Sequence, residues 1–239
     1  MLLIVQMLVL ESTHTTNKYS QMNTENIKFK PWIIYGPIVV WLLFWFGSLI
    51  GYIFSGLEEY VPWCIPHFEG CTSVSKAGRY GTSFYLFKIL LIPATILLFI
   101  YWIDVYRWQR FQRILSARLA TLILVSGCIG AVFLIAHLTA LGLDCEICRT
   151  FRNYGTKGFF VFTIAAQWML YFHLRSTFSK ELSTRCFFVI CVLVTFEMLL
   201  SGTVQFFWED TRWIENGIAW RSTFYLSFAP FLVSKLWKR

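Results

Sequence analysis

The chain has 239 residues, of which 57% are hydrophobic, 19% aromatic and only 14% charged. A soluble domain carries roughly 45–50% apolar and about 25% charged residues, so this composition excludes a water-soluble globule and makes the bilayer the natural solvent for the excess. The formal net charge of +8 sits mostly at the ends of apolar runs, which points to topology control and anionic headgroups, not to nucleic acid, and no motif of a nucleic-acid reader occurs.

In chain order, residues 1–31 come first. Their apolar start is too short to span, with no basic stretch before it and no small-x-small site after it, so it does not read as a signal peptide. Met22 is an alternative start that would make residues 1–21 an extension. The segment is read as a cytoplasmic tail, disordered or interfacial, preceding a transmembrane domain over 32–239. Six apolar segments follow, near residues 32–54, 83–103, 119–143, 158–174, 186–207 and 218–237, each close to the roughly 20 residues that cross a bilayer. Pro37, Pro93 and Pro230 fall inside them, as membrane helices tolerate. The connections are short except for 55–82, which is polar, glycine-punctuated and carries Cys64 and Cys71. No repeat or second domain is visible. The fold class is an all-α bundle of six transmembrane helices.

An even number of spans puts both termini on one side. Thirteen Lys and Arg residues lie there: Lys18, Lys28, Lys30, Arg107, Arg110, Arg113, Arg118, Arg175, Lys180, Arg185, Lys235, Lys238 and Arg239. Six lie opposite, at Lys76, Arg79, Arg149, Arg152, Lys157 and Arg212. The positive-inside rule makes both termini cytoplasmic. Acids at Glu58, Glu59, Glu69, Asp144, Glu146, Glu209, Asp210 and Glu215 all fall outside, which is consistent.

Ionisable side chains within a span are costly, roughly 2.5–3.5 kcal/mol each on insertion scales, and are functional candidates by default. They are Lys88, His137, Glu197 and Arg221, with Gln167 as a polar companion. All four fall in the middle or outer half. Glu197, ten residues from the outer end of its span, should be uncharged or paired with a cation. Lys88, Arg221, Glu197 and Gln167 are candidate lipid-binding residues, the cations taking phosphate. Lys88 and Arg221 snorkelling to the headgroups, or a purely structural pair, are the plainer alternatives. His137 and Glu197 are candidate catalytic residues as base and orienter, although an interhelical contact explains a lone histidine as well.

Cys64, Cys71, Cys145 and Cys148 lie in outer loops, where disulfides form. The pairs are 64–71 with 145–148, or cross-loop. A zinc site using both pairs and His67, or a redox C-x-x-C, are alternatives, but neither has its usual surroundings. No metal site and no cofactor is assigned. Trp32, Tyr35, Trp41, Trp45, Tyr101, Trp102, Trp208, Trp220 and Trp237 read as interfacial belts. Ser126, Gly127, Gly130 and Ala131 read as a close-packing face. No G-x-S-x-G, HExxH or P-loop occurs. The basic turn WQRFQR at 108–113 fixes topology, touches inner-leaflet lipid or recruits a protein partner.

The chain resembles the Frag/DRAM/Sfk family, the CWH-like N-terminal domain, over about residues 32–237. The segment TSVSKAGRYGTSFYLFK, with Val74, Ser75, Gly78, Gly81 and Phe84, is similar to the family's first outer loop. NYGTKGFFVF, with Asn153 in place of a histidine and with Gly155 and Phe159, is similar to its lead-in to span 4. IENGIAW is similar to its acidic-Trp lead-in to span 6, although Ala219, not a glutamate, precedes Trp220 and Glu215 lies upstream. The resemblance implies membrane-lipid work and supplies no catalytic set. The expected function is therefore binding or positioning of membrane lipid, with the 55–82 loop as a lid over an outer-half pocket. The alternatives are a lipid-remodelling enzyme using His137 and Glu197, or a non-enzymatic scaffold for a protein partner. The expected location is a plasma membrane or bacterial inner membrane, with an endomembrane as the alternative.

Overall fold

Long apolar stretches whose only helix-breaking residues are isolated prolines give long helices, because in lipid a helix is the one open-chain form that satisfies its own backbone. The structure, a computed structural model, describes residues 31–111, 116–207 and 211–238. The tail 1–30, Arg113, Trp208, Glu209, Asp210 and Arg239 lie outside the described residues. Six long helices are α1 (Pro31–Leu57), α4 (Gly81–Phe111), α5 (Ala117–Ala140), α6 (Glu146–Phe178), α7 (Leu182–Phe207) and α8 (Arg212–Ser234). Two single-turn helices, α2 (Pro66–Glu69) and α3 (Val74–Ala77), interrupt the long outer connection, and a 3-10 turn, Lys235–Lys238, follows α8. No strand occurs among the described residues.

Each long helix packs on the next in sequence, and α8 returns to α1, so the six close a ring. Short turns between packed helices make neighbours antiparallel. Contacts mark the two ends. At one end Trp108 of α4 meets Phe178 of α6 and Trp237 after α8. At the other, the start of α4 meets the end of α5, and the start of α8 meets the segment between α1 and α4. Residues 31 and 238 therefore lie at the same end, opposite the long connection.

Four of the helices, covering Tyr35–Leu57, Gly81–Phe111, Ala117–Ala140 and Leu182–Phe207, are long and apolar enough to cross a membrane. Their outward faces carry bare apolar side chains, among them Phe46, Ile89, Leu122, Val132 and Leu199. A water-exposed monomer does not carry such a continuous apolar surface. The more polar α6 and α8 fall short of that apolarity. In α8 only Arg212 and Trp213 are exposed among the described residues, because its neighbours and the outer segment cover it. That shelter is what permits Asn216, Arg221, Ser222 and Ser227 along its length.

The predicted boundaries shift. The fourth segment, expected at 158–174, is the longest helix, because its polar first turns continue past the apolar stretch. The sixth begins six residues early, at Arg212. Part of the expected aromatic belt is core: Tyr101, Trp102, Trp220 and Trp237 are buried, since each meets another element of the bundle, while Tyr35 is exposed and Trp41 and Trp45 are half-buried. The small-residue face is a contact face. A Cβ on Gly127 would come within 2.2 Å of the Trp102 indole, and one on Gly130 within 2.6 Å of the Thr163 hydroxyl. Ser126 Oγ donates to Phe162 O at 2.9 Å.

Replacing Gly127 by leucine should therefore lower stability by about 1–3 kcal/mol. Thermal unfolding in detergent reads this as a lower Tm, with Val132→Leu on the outward face as the variant expected to leave Tm unchanged.

Candidate functional site

The outer connection, residues 58–80, is irregular backbone that must find its hydrogen bonds elsewhere. It folds into a cap. Its first strap is Tyr52 of α1, whose hydroxyl accepts from Cys64 N at 2.7 Å and lies 3.1 and 3.0 Å from the Pro62 and Cys64 carbonyls. Cys64 and Cys71 are joined as a disulfide that closes the loop around α2. Gly70 ends α2 with φ +59°, and a Cβ there would collide with the Trp213 carbonyl. At the far end Glu58 caps α4: its carboxylate accepts from Thr82 N at 3.0 and 3.1 Å, across Gly81 with φ +59°.

The second strap is one face of α8. Asn216 Nδ2 donates to Gly70 O at 2.9 Å, Trp220 Nε1 to Thr72 O at 2.9 Å, and Arg221 Nη1 to His67 O at 2.7 Å. Positions 216 and 220 share a face by helical period, and Arg221 reaches the cap from the adjoining flank of α8. Tyr52, Val61, Ala77 and Trp220 form the small apolar core beneath the cap.

Arg221 also meets the intramembrane acid. Its Nε donates to Glu197 Oε1 at 2.6 Å, and Ser222 Oγ donates to Oε2 at 2.7 Å. Both carboxylate oxygens are satisfied, which is the condition for an ion pair to persist away from water. Glu197 is ten residues from the end of α7 and Arg221 nine from the start of α8. At ~1.5 Å per residue both lie ~14 Å below the outer ends. The Arg221 side chain points towards the start of its helix, as helical side chains do, and so reaches up to the cap. His67 stacks obliquely on Trp220, ring centroids 5.3 Å apart. Burial, and then the nearby Arg221 charge, lower the His67 pKa below 6.5.

Lys88 does not join this pair. It lies seven residues into α4, where Nζ donates to Thr139 O of α5 at 3.3 Å and lies 4.1 Å from the Phe84 ring centre. Lys88 itself is half-buried against α5, at the edge of the outward face on which Tyr85 and Ile89 are exposed. Glu197 is therefore the counter-ion of Arg221 and not of Lys88. Gln167 is buried and approaches Leu226 O at 3.5 Å, tying α6 to α8, away from the outward surface.

His137 does not join Glu197 either. Its ring lies between the cap and α6: Nε2 is 3.2 Å from Ser75 Oγ of α3, and Nδ1 is 2.9 Å from Arg152 O and 2.8 Å from Thr156 Oγ1. Cys145 and Cys148 form a second local disulfide at the start of α6. Among the described residues no group of three or more His, Cys, Asp or Glu side chains converges as metal ligands would. A shallow depression of about 530 Å³, lined by Leu57, Tyr60 and Trp63 among others, opens on the cap itself. None of the sequence-predicted site residues lines it.

Ser75 enters the sequence reading only through the family resemblance, Asn216 has no role there, and Trp220 reads there as an interfacial belt residue. Ser75 lies 62 positions from His137, and Trp220 lies 148 from Thr72. No local pattern reports such pairings. No family model, curated protein or solved structure matches the chain.

Removing one partner of the buried pair should cost about 2–3 kcal/mol. Arg221→Met is expected to lower Tm and to free the cap, seen as faster hydrogen exchange at residues 64–72. The paired change Arg221→Met with Glu197→Leu should recover part of the loss. Acid should act on the same cap. With the folded His67 pKa below 6.5, the unfolded state binds more protons as pH falls through that value, so stability decreases with acidification. Exchange at 64–72, corrected for intrinsic rates, should accelerate between about pH 7 and pH 5, and His67→Phe should flatten the dependence.

Proposed function

We propose that the chain is a six-span integral membrane protein, with both ends cytoplasmic, that binds and positions phosphate-bearing lipid in the outer leaflet of a plasma membrane or bacterial inner membrane. The thirteen basic residues in the two ends of the chain and the two turns on the same side support the orientation. The lipid role is also what the resemblance to the Frag/DRAM/Sfk family implies.

Lys88 carries the lipid reading. Its ammonium lies at the edge of an outward apolar face with a carbonyl and an aromatic ring as partners and no carboxylate partner among the described residues. α4 begins at the outer end, so its side chains lean outward. Lys88 thus lifts its charge from ~10 Å down the helix towards headgroup level. A cation uncompensated by any acid there attracts anionic headgroups, roughly 1 kcal/mol for each basic residue near the surface. Arg221 has the opposite character. Two of its nitrogens are taken by Glu197 and His67, so it holds the cap. In this reading the cap is a fixed shoulder beside the lipid and not a lid over an enclosed pocket.

Native mass spectrometry in mild detergent tests this. The wild type should carry a phosphate-bearing lipid that Lys88→Met loses, while Arg221→Met keeps it at reduced stability. A wild type that emerges without a selectively retained lipid, or a Lys88→Met protein that retains it, overturns the reading.

A further inference from the structure

We infer that Ser75 and His137 form a nucleophile–base pair for acyl transfer from a lipid carboxylic ester at the outer membrane interface. The hydrogen-bond pattern fixes the protonation of the imidazole. Arg152 O can only accept, so Nδ1 carries the proton, and Thr156 Oγ1 is itself a donor to Arg152 O at 3.0 Å. The neutral ring then presents Nε2 as an acceptor, and the group facing it at 3.2 Å is the Ser75 hydroxyl. A hydroxyl, a base within hydrogen-bond reach and a third group that orients the base make the arrangement of an activated serine. His137 is buried and Ser75 is half-buried, so the base is shielded while the hydroxyl has an open side.

A cation stands beside the pair. Arg152 and Arg79 are both within electrostatic range of His137. Arg152 is occupied, with Nη1 on Ala140 O and Leu143 O. Arg79, four residues after Ser75, has a buried Nε with no hydrogen bond to the described residues. It is the group available for an oxyanion formed at Ser75.

Depth selects the substrate. His137 is three residues from the outer end of α5, ~4–5 Å down by helical rise. That is the boundary between hydrocarbon and headgroups, where the acyl esters of glycerolipids lie. Thr139, whose carbonyl holds Lys88, is two residues away on the same helix. A phosphate at Lys88 and an ester at Ser75 therefore fit one lipid. The substrate class rests on the Lys88 reading; the Ser75–His137 pair does not.

In the reaction Ser75 Oγ bonds to the ester carbonyl carbon as its proton passes to His137 Nε2. The bond from that carbon to the glycerol oxygen breaks, and this oxygen takes the proton from Nε2. Water or an acceptor alcohol then attacks acyl-Ser75, giving its proton to Nε2, which returns it to Ser75 Oγ. The products are a free or transferred acyl group and a lysolipid.

A long-chain fluorophosphonate tests the pair without a lipid substrate. The expected result is a covalent adduct mapped to Ser75, absent in Ser75→Ala and slowed about 100-fold or more in His137→Gln. No adduct at Ser75, or an unchanged rate in His137→Gln, overturns the proposal. If His137→Gln fails to fold, fatty-acid release from phosphatidylglycerol in mixed micelles replaces it. That release should fall to background in Ser75→Ala, whose Tm is checked alongside, and release at the wild-type rate in Ser75→Ala overturns the proposal. An adduct on Ser75 in a protein that retains no lipid would uphold the pair and refute the Lys88 reading alone.

Discussion

Irregular backbone at the mouth of a membrane bundle is stable only if something donates to its carbonyls, and that constraint organises the outer end of this protein. The donors most distant in sequence come from α8. Asn216, Trp220 and Arg221 reach three carbonyls of the cap, and Tyr52 of α1 serves the turn around Cys64. A helix turned towards lipid could not supply this face, because its polar side chains would be exposed to hydrocarbon. α8 can do so because the ring and the cap cover it. Its low hydropathy and its role as a scaffold have the same cause.

The Glu197–Arg221 pair extends that logic inward. An acid near mid-bilayer depth is tolerated because Arg221 and Ser222 satisfy both of its oxygens. Arg221 in turn transmits the pair to His67. One side chain thereby links α7, α8 and the cap. The ionisable groups at the capped end divide between elements: Glu197 and Arg221 join α7, α8 and the cap, Lys88 bonds to the end of α5, and His137 lies under the cap beside Ser75.

Much of this was legible in the sequence. Long apolar runs located all six long helices, and the depths of Glu197 and Arg221 allowed their pairing. Rotation about each helix axis was not legible, because depth follows from counting residues while facing follows from packing. Lys88 and Arg221 have similar depth but face different surroundings, so grouping them by depth alone was an error. The helical extension of α6 to Glu146 was hidden because hydropathy marks where a helix meets lipid and not where it ends. Trp220 resembled an interfacial tryptophan by its position near a span end. Only the return of the cap over α8 makes it a core residue with its indole on Thr72 O.

The cap also imposes an order of assembly. Its carbonyls at His67, Gly70 and Thr72 pair with residues 154, 146 and 148 positions later in the chain. During synthesis α1 and α4, which flank the segment, are made first, yet the donors to these three carbonyls arrive with the last helix. Until then these three carbonyls lack those donors, while the segment keeps its own short turns and the Tyr52 strap. The closing of α8 against α1 therefore completes the ring and sets the cap in the same event, so a chain truncated before α8 would leave the 58–80 segment without three of its carbonyl partners.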